Sequence, residues 1–111
     1  MKIIIIIIMG TVYLLNAWGT DNYKIGVTKR DIEKRIKQLQ TGCPDEIVLV
    51  KKFDCEHYRK VEGWLHRQHG SKRVEGEWFI LEDEDIKNFE VDCDRIHTTV
   101  KLLMEGNPFF N

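Results

Sequence analysis

Four side chains give this sequence its chemistry: the phenol of Tyr13, the amine of Lys24, the guanidinium of Arg35 and the carboxylate of Glu62. An arginine's fork of donors matches a phosphate, and a phenol beside an ammonium can exchange a proton with a bound water. Tyr13, Lys24 and Arg35 thus form the beginning of a site that handles a phosphate, but they include no metal ligand, and Glu62 is the residue that would supply one. A phenol with an unperturbed pKa near 10 is a poor base unless a neighbouring cation favours its phenolate, which is the part Lys24 would play.

These residues need elements to hold them. Thr11 to Leu15 reads as a strand from its β-branched and aromatic content, Asn16 to Asn22 as a hairpin loop, and Tyr23 to Val27 as the returning strand. Two-residue alternation puts Tyr23, Ile25 and Val27 on one face of that strand and leaves Lys24 and Gly26 on the other. With no side chain at Gly26, the surface next to Lys24 lies open to a ligand. A helix follows from about Asp31 to Gln40, with Ile32, Ile36 and Leu39 as its apolar stripe, Arg35 at the edge of the stripe, and Lys34 and Lys37 on the far side. Thr41-Gly42 ends it and Pro44 prevents its resumption. Ile47 to Phe53 reads as a third strand, with Asp54 offered as the N-cap of a second helix from about Glu56 to His69.

On that second helix Tyr58, Val61 and Leu65 form the buried side, while Glu62, His66 and His69 gather on one flank, because positions four and seven apart lie nearly above each other. Arg73 to Leu81 reads as one short extended segment carrying Trp78 and Phe79 into the core. Glu82 to Asp85 places four carboxylates at a helix start, where the macrodipole favours them, and Phe89, Cys93, Ile96, Val100 and Leu103 continue a helical tail, broken near Val91. That acidic helical part runs to about residue 107, where Gly106 and Pro108 stop it.

Composition bounds the rest. A chain of 111 residues, 42% hydrophobic and 32% charged, is sized for one domain with one core and is far from the profile of disorder. The net charge of −1 hides an uneven spread: residues 24–73 hold thirteen Lys/Arg against seven Asp/Glu, whereas residues 74–111 hold three against ten. A basic middle, with Lys29, Arg30, Lys34, Lys37, Lys72 and Arg73 as its phosphate-contacting candidates, would meet a polyanion while the acidic tail stays away. Cys43, Cys55 and Cys93 are odd in number and form no CxxC pair, so neither a disulfide framework nor a zinc knuckle is indicated, and a reducing cytoplasm is the simplest setting. The run of isoleucines after Lys2 is too short to span a bilayer and lacks a cleavage site before Gly10, so residues 1–9 read as an apolar extension, with Met9 an alternative start. No membrane partner is expected.

At Thr11-Val12-Tyr13, Lys24-Ile25-Gly26, Arg35 and Glu62 the chain resembles the GIY-YIG nuclease superfamily, in the phage-type branch with a Tyr-Lys-Ile-Gly second motif; Glu62-x-x-x-His66 and Gly76-Glu77-Trp78-Phe79 extend the likeness over roughly residues 10–90. The resemblance implies an α+β fold, a small three-stranded antiparallel sheet flanked by helices, with the C-terminal helix appended and residues 10–111 as one domain. It also implies hydrolysis of DNA phosphodiesters with one divalent ion, Mg²⁺ or Mn²⁺. Position by position, Tyr13 matches the first-motif tyrosine, Arg35 the helical arginine and Glu62 the metal-binding glutamate. Lys24 stands where the second tyrosine would, with Tyr23 displaced by one residue onto the opposite face, and Leu39 occupies the place of a helical histidine found in some members. His66 is then the histidine available to compensate, and it joins Tyr23 among the candidate catalytic residues.

Taken without that likeness, the same residues have plainer uses. Tyr13 would be a core aromatic, Arg35 a surface charge, Glu62 a partner for Arg59 or Arg67, and His66 a half-buried polar residue. The expected function is a metal-dependent DNA endonuclease acting in the cytoplasm, of an infected cell if viral. The alternatives are a DNA-binding module on the same fold with weak or lost catalysis, and a small interaction domain with an acidic tail. One site of this size would cut one strand at a time, so a homodimer or a partner protein would be needed for double-strand breaks and for specificity.

Overall fold

Strand β1, Gly10–Ala17, lies at the centre of the sheet because both of its faces are apolar: Val12 and Leu14 turn one way, Tyr13 and Leu15 the other, and all four are buried. A strand covered on both sides reads as a continuous apolar run, as this one does. The computed structural model describes residues 9–106, so all of the expected extension over residues 1–9 except Met9, and Pro108, lie outside the described residues.

β2, Asn22–Thr28, returns antiparallel to β1 with Tyr13 opposite Gly26 and Leu15 opposite Lys24. Asn16 fastens the hairpin loop by donating from Nδ2 to the carbonyls of Thr20 and Asn22, each at 3.0 Å, and Gly19 turns it at φ 82°. β3, Ile47–Cys55, pairs with the other edge of β1 with an irregularity between Leu14 and Leu15, and puts Lys52 opposite Tyr13. These three strands are the expected sheet.

The observed sheet has five, in the order β3-β1-β2-β5-β4, which corrects the three-stranded expectation. The segment read as one extended piece is a hairpin: β4, Arg73–Glu75, turns at Gly76 (φ 55°) into β5, Trp78–Ile80, which pairs with β2 over Asn22–Lys24. Strands of three residues are too short to display two-residue alternation, and exposed Val74 and Ile80 blur what little there is.

Helix α1, Ile32–Gln40, covers one face of the sheet, packing Ile32, Ile36 and Leu39 on Tyr13, Leu15 and Ile47. Its start is set by Asp31, whose side chain accepts from Glu33 N at 2.9 Å. Helix α2, Tyr58–Gln68, and helix α4, Phe89–Gly106, cover the other face, where Val61, Leu65, Phe79, Phe89 and Ile96 meet Val12, Leu14 and Ile25. The expected single core is therefore two apolar clusters separated by the sheet. Each fully buried Leu or Phe there contributes roughly 1.5–3 kcal/mol.

Asp54, expected to cap α2, instead accepts from the Thr11 hydroxyl at 2.5 Å inside the β1–β3 pairing, because β3 runs on to Cys55; His57 stands at the helix N-cap without a side-chain bond. A short α3, Asp83–Lys87, is closed by a capping box between Glu82 and Asp85, and the expected break near Val91 falls at Asn88. Among the described residues no helix is long and apolar enough to cross a membrane.

Candidate functional site

β5 stops covering β2 at Lys24, and the site forms at the edge left open beyond it. There the Ile25 N–H donates to the Glu77 carbonyl at 3.1 Å, and the Ile25 carbonyl is 2.8 Å from His66 Nε2. A carbonyl only accepts, so Nε2 carries the ring proton, and Nδ1 is left to accept from Arg73 Nη2 at 3.4 Å. Both nitrogens of His66 are engaged, and its ring packs on Phe79 with centroids 5.2 Å apart. His66 thus closes the sheet edge and anchors α2 to β2.

Gly26 sits at the centre of the arrangement. A Cβ there would overlap the Tyr13 hydroxyl and stand 2.5 Å from Cζ, so the phenol end of the ring packs directly against the glycine. The need for glycine in the second motif is steric: it makes room for the tyrosine of the first. Tyr13 itself is 1% exposed, and burial raises its pKa above the ordinary value. The Arg35 guanidinium beside it works the other way, while Glu77 and Glu62 add to the rise.

Glu62 reaches this edge from α2. Burial is the main reason that its carboxyl is held above the usual carboxylate range; Glu77 adds to this, against the opposing charges of His66, Lys24 and Arg59. Its Oε2 is buried and has no hydrogen-bond partner. An orphaned carboxylate oxygen in such a position costs about 1–3 kcal/mol and is the natural seat for a ligand. Among the described residues no cluster of three or more His, Cys, Asp or Glu side chains is disposed to hold a metal. A hard ion that keeps most of its waters needs only one such carboxylate plus substrate oxygens, which is the Mg²⁺ pattern.

Lys24 shares the face of Tyr13, as the alternation predicts, but its Nζ is ion-paired with Glu77 Oε2 at 3.2 Å and rests 5.6 Å from the centre of the Trp78 ring. The cation that lowers the phenol's pKa is Arg35, while Lys24 is held by Glu77. Glu77 is a second carboxylate at the site that sequence reasoning passed over. It was legible only as part of the Gly76-Glu77-Trp78-Phe79 segment, and nothing local says that the turn of the β4–β5 hairpin folds back on Lys24. Tyr23 lies on the opposite face, packed against the larger apolar cluster, and does not join Tyr13.

The basic candidates divide. Lys29 and Arg30 line a cleft of about 390 Å³ between the end of β2, α1 and the start of α2, together with Arg35, Gln38, Tyr58 and Arg59. Lys34 and Lys37 are exposed on the outer side of α1. Lys72 is held by Asp85 at 2.6 Å, a hydrogen bond that raises the lysine's pKa, and Arg73 rests on the Phe79 ring at 5.5 Å. These last two are engaged within the protein.

A central antiparallel sheet layered between one helix and a helical pair, with a phenol, a guanidinium and an orphaned carboxylate at its open edge, defines a small α+β domain. A family profile described as the T5orf172 domain matches residues 10–98, and the chain belongs to that family. The domain is related to GIY-YIG-like, phage-nuclease-type domains, and it is consistent with a nuclease-like or DNA-binding role. Comparison with curated proteins gave no match, and neither did comparison with solved structures.

Proposed function

We propose that this chain is a metal-dependent endonuclease of the GIY-YIG type that hydrolyses DNA phosphodiester bonds. The observation that carries the reading is the buried, unpartnered Oε2 of Glu62, within the electrostatic reach of the Tyr13 phenol and the Lys24 and Arg59 cations. Glu62 would hold Mg²⁺ or Mn²⁺, which when bound supplies charge neutralisation and a more acidic water. Arg35 binds the scissile phosphate through its donors. Tyr13 is protonated at neutral pH because burial disfavours its anion, and in that form its hydroxyl orients the attacking water; the phenolate, formed by loss of the phenol proton to solvent and favoured by Arg35, is the form that accepts the water's proton. Lys24, released from Glu77 or still paired with it, sets the charge on the face where the phosphate lies.

A second reading has its own support: Tyr13 is 1% exposed and Lys24 is already neutralised by Glu77, a closed arrangement that suits a DNA-binding module with little or no catalysis. Supercoiled DNA incubated with the purified chain, with Mg²⁺ and with EDTA, separates the two. The enzyme nicks with Mg²⁺, and nicking is lost on chelation and in Glu62→Ala. Salt-dependent binding without nicking by either protein supports the module instead.

A further inference from the structure

The cleft beside the site asks for its own occupant. Lys29, Arg30, Arg35 and Arg59 converge on it, no Asp or Glu lines it, and among the described residues none of the four stands in an ion pair. Among the described residues Lys24, Lys51, Lys72 and Arg95 have carboxylate partners and other basic residues, such as Lys34 and Lys52, stand without one; what sets these four apart is that they converge on one concave volume. Four cations left without counter-charge around a concave volume repel one another, which is the expected state of an anion site without its anion.

Tyr58 gives the cleft a fixed wall. Its ring lies against Gly10, where a Cβ would come within 2.5 Å of Cδ1, and the rest of the side chain is packed into the larger apolar cluster. Arg59 lies over the same ring at 5.8 Å. The donors of Arg59 and Lys29 around the hydroxyl hold the Tyr58 phenol below its ordinary pKa, as befits a hydroxyl facing a positive field. Arg59 is also three residues before Glu62 on α2 and its charge acts on that carboxyl, yet it leaves Glu62 Oε2 unpartnered and lines the cleft.

We infer that this cleft grips a second backbone phosphate of the DNA strand, the one next to the scissile linkage, with Lys29, Arg30, Arg59 and the Tyr58 hydroxyl as its contacts and Arg35 shared between the two phosphates. The inference rests on the proposed DNA reading and adds to it a substrate requirement: the strand must continue past the cut on the side of α2. Tyr58 and Arg59 thereby become binding residues at positions that read, in sequence, as core and as helix surface.

The test is equilibrium binding of a fluorescent DNA duplex to the full chain in EDTA, over a range of salt. Removing one phosphate contact reduces the slope of log K against log salt by about 0.9. The Lys29→Ala, Arg59→Ala double variant should bind about tenfold more weakly at low salt with that reduction in slope. Tyr58→Phe, which keeps the ring on Gly10, should weaken binding about threefold with the slope unchanged, because it deletes a neutral donor. Arg67→Ala, a loss of charge on the outer side of α2 where Arg67 lies over Trp64, should change neither. Wild-type affinity and slope in the double variant, or an equal loss in Arg67→Ala, overturns the cleft while leaving the nuclease reading intact. No binding by the wild-type chain overturns both.

Discussion

The pKa values of Tyr13 and Glu62 are both raised by burial, the direction that opposes their proposed work, and the conflict is informative. A buried phenol with a raised pKa is a hydrogen-bond donor at neutral pH, and its conversion to an acceptor is favoured by Arg35 beside it. Cleavage should therefore rise with pH through the neutral and mildly alkaline range, and Tyr13→Phe should lower the rate at least a hundredfold and remove that rise, both read from a pH–rate profile. For Glu62 the sign of the linkage is the reverse of the usual carboxylate. Its folded pKa is raised, so the fold prefers the protonated form; stability is full below the unfolded value near 4.3 and falls as pH rises through the folded one. At neutral pH the native chain carries that penalty, and Glu62→Gln should melt higher by about 1 kcal/mol, roughly 4 °C, in a thermal scan with EDTA. Adding Mg²⁺ at ten times its Kd should stabilise the wild type by about 1.4 kcal/mol and leave Glu62→Gln unmoved. A metal-dependent shift of the same size in both proteins would remove Glu62 from the metal.

Among the elements, the pairing of β1 with β2 is what makes a site of these residues, since it seats Tyr13 over Gly26. Gly26→Ala should force the tyrosine off its position and destabilise the chain by about 1–3 kcal/mol. Gly63→Ala, in the interior of α2 with open space around the added methyl, should instead stabilise by about 0.5–1 kcal/mol. Denaturant unfolding of the two variants checks the pair. The contrast also marks how far sequence reached. Alternation along Tyr23 to Val27 placed Lys24 and Gly26 on the face of Tyr13, and the stripe of Ile32, Ile36 and Leu39 put Arg35 at its edge, because both are short-range periodicities. The β4–β5 hairpin was illegible for want of length, and so were Glu77 against Lys24, Arg35 rather than Lys24 on the phenol, and the engagement of Lys72 by Asp85. Each of those depends on how a turn or helix end folds back on a distant strand, and spacing carries no record of it.

At the scale of the whole molecule, charge is laid out in two territories. The acidic segment after residue 74 places carboxylates at helix starts and on basic residues, Glu77 on Lys24 at the site, Glu90 on Lys51 at 3.4 Å and Asp85 on Lys72, but none of them lines the cleft beside Arg35. Two histidines make the fold sensitive to acid. Burial lowers the pKa of His69 and of His97, whose folded states prefer the neutral ring, so their contribution is complete above the unfolded value near 6.5 and is lost as pH falls below it. For Asp85, although burial alone would raise its pKa, the bond from Lys72 and the Glu82 backbone hold it low, so its contribution persists to lower pH before it too is lost. The melting temperature should fall by a few degrees between pH 7 and pH 5, and the fall should be shallower in the His69→Gln, His97→Gln double variant. The measurement that bears most directly on the central claim is nicking of supercoiled DNA by the wild-type chain in Mg²⁺, set against Glu62→Gln at equal concentration. Open-circular product from the wild type, abolished by EDTA and by the substitution in a variant that melts no lower than its parent, is the predicted result. Equal nicking by both proteins, or none by the wild type while it binds DNA, would contradict it.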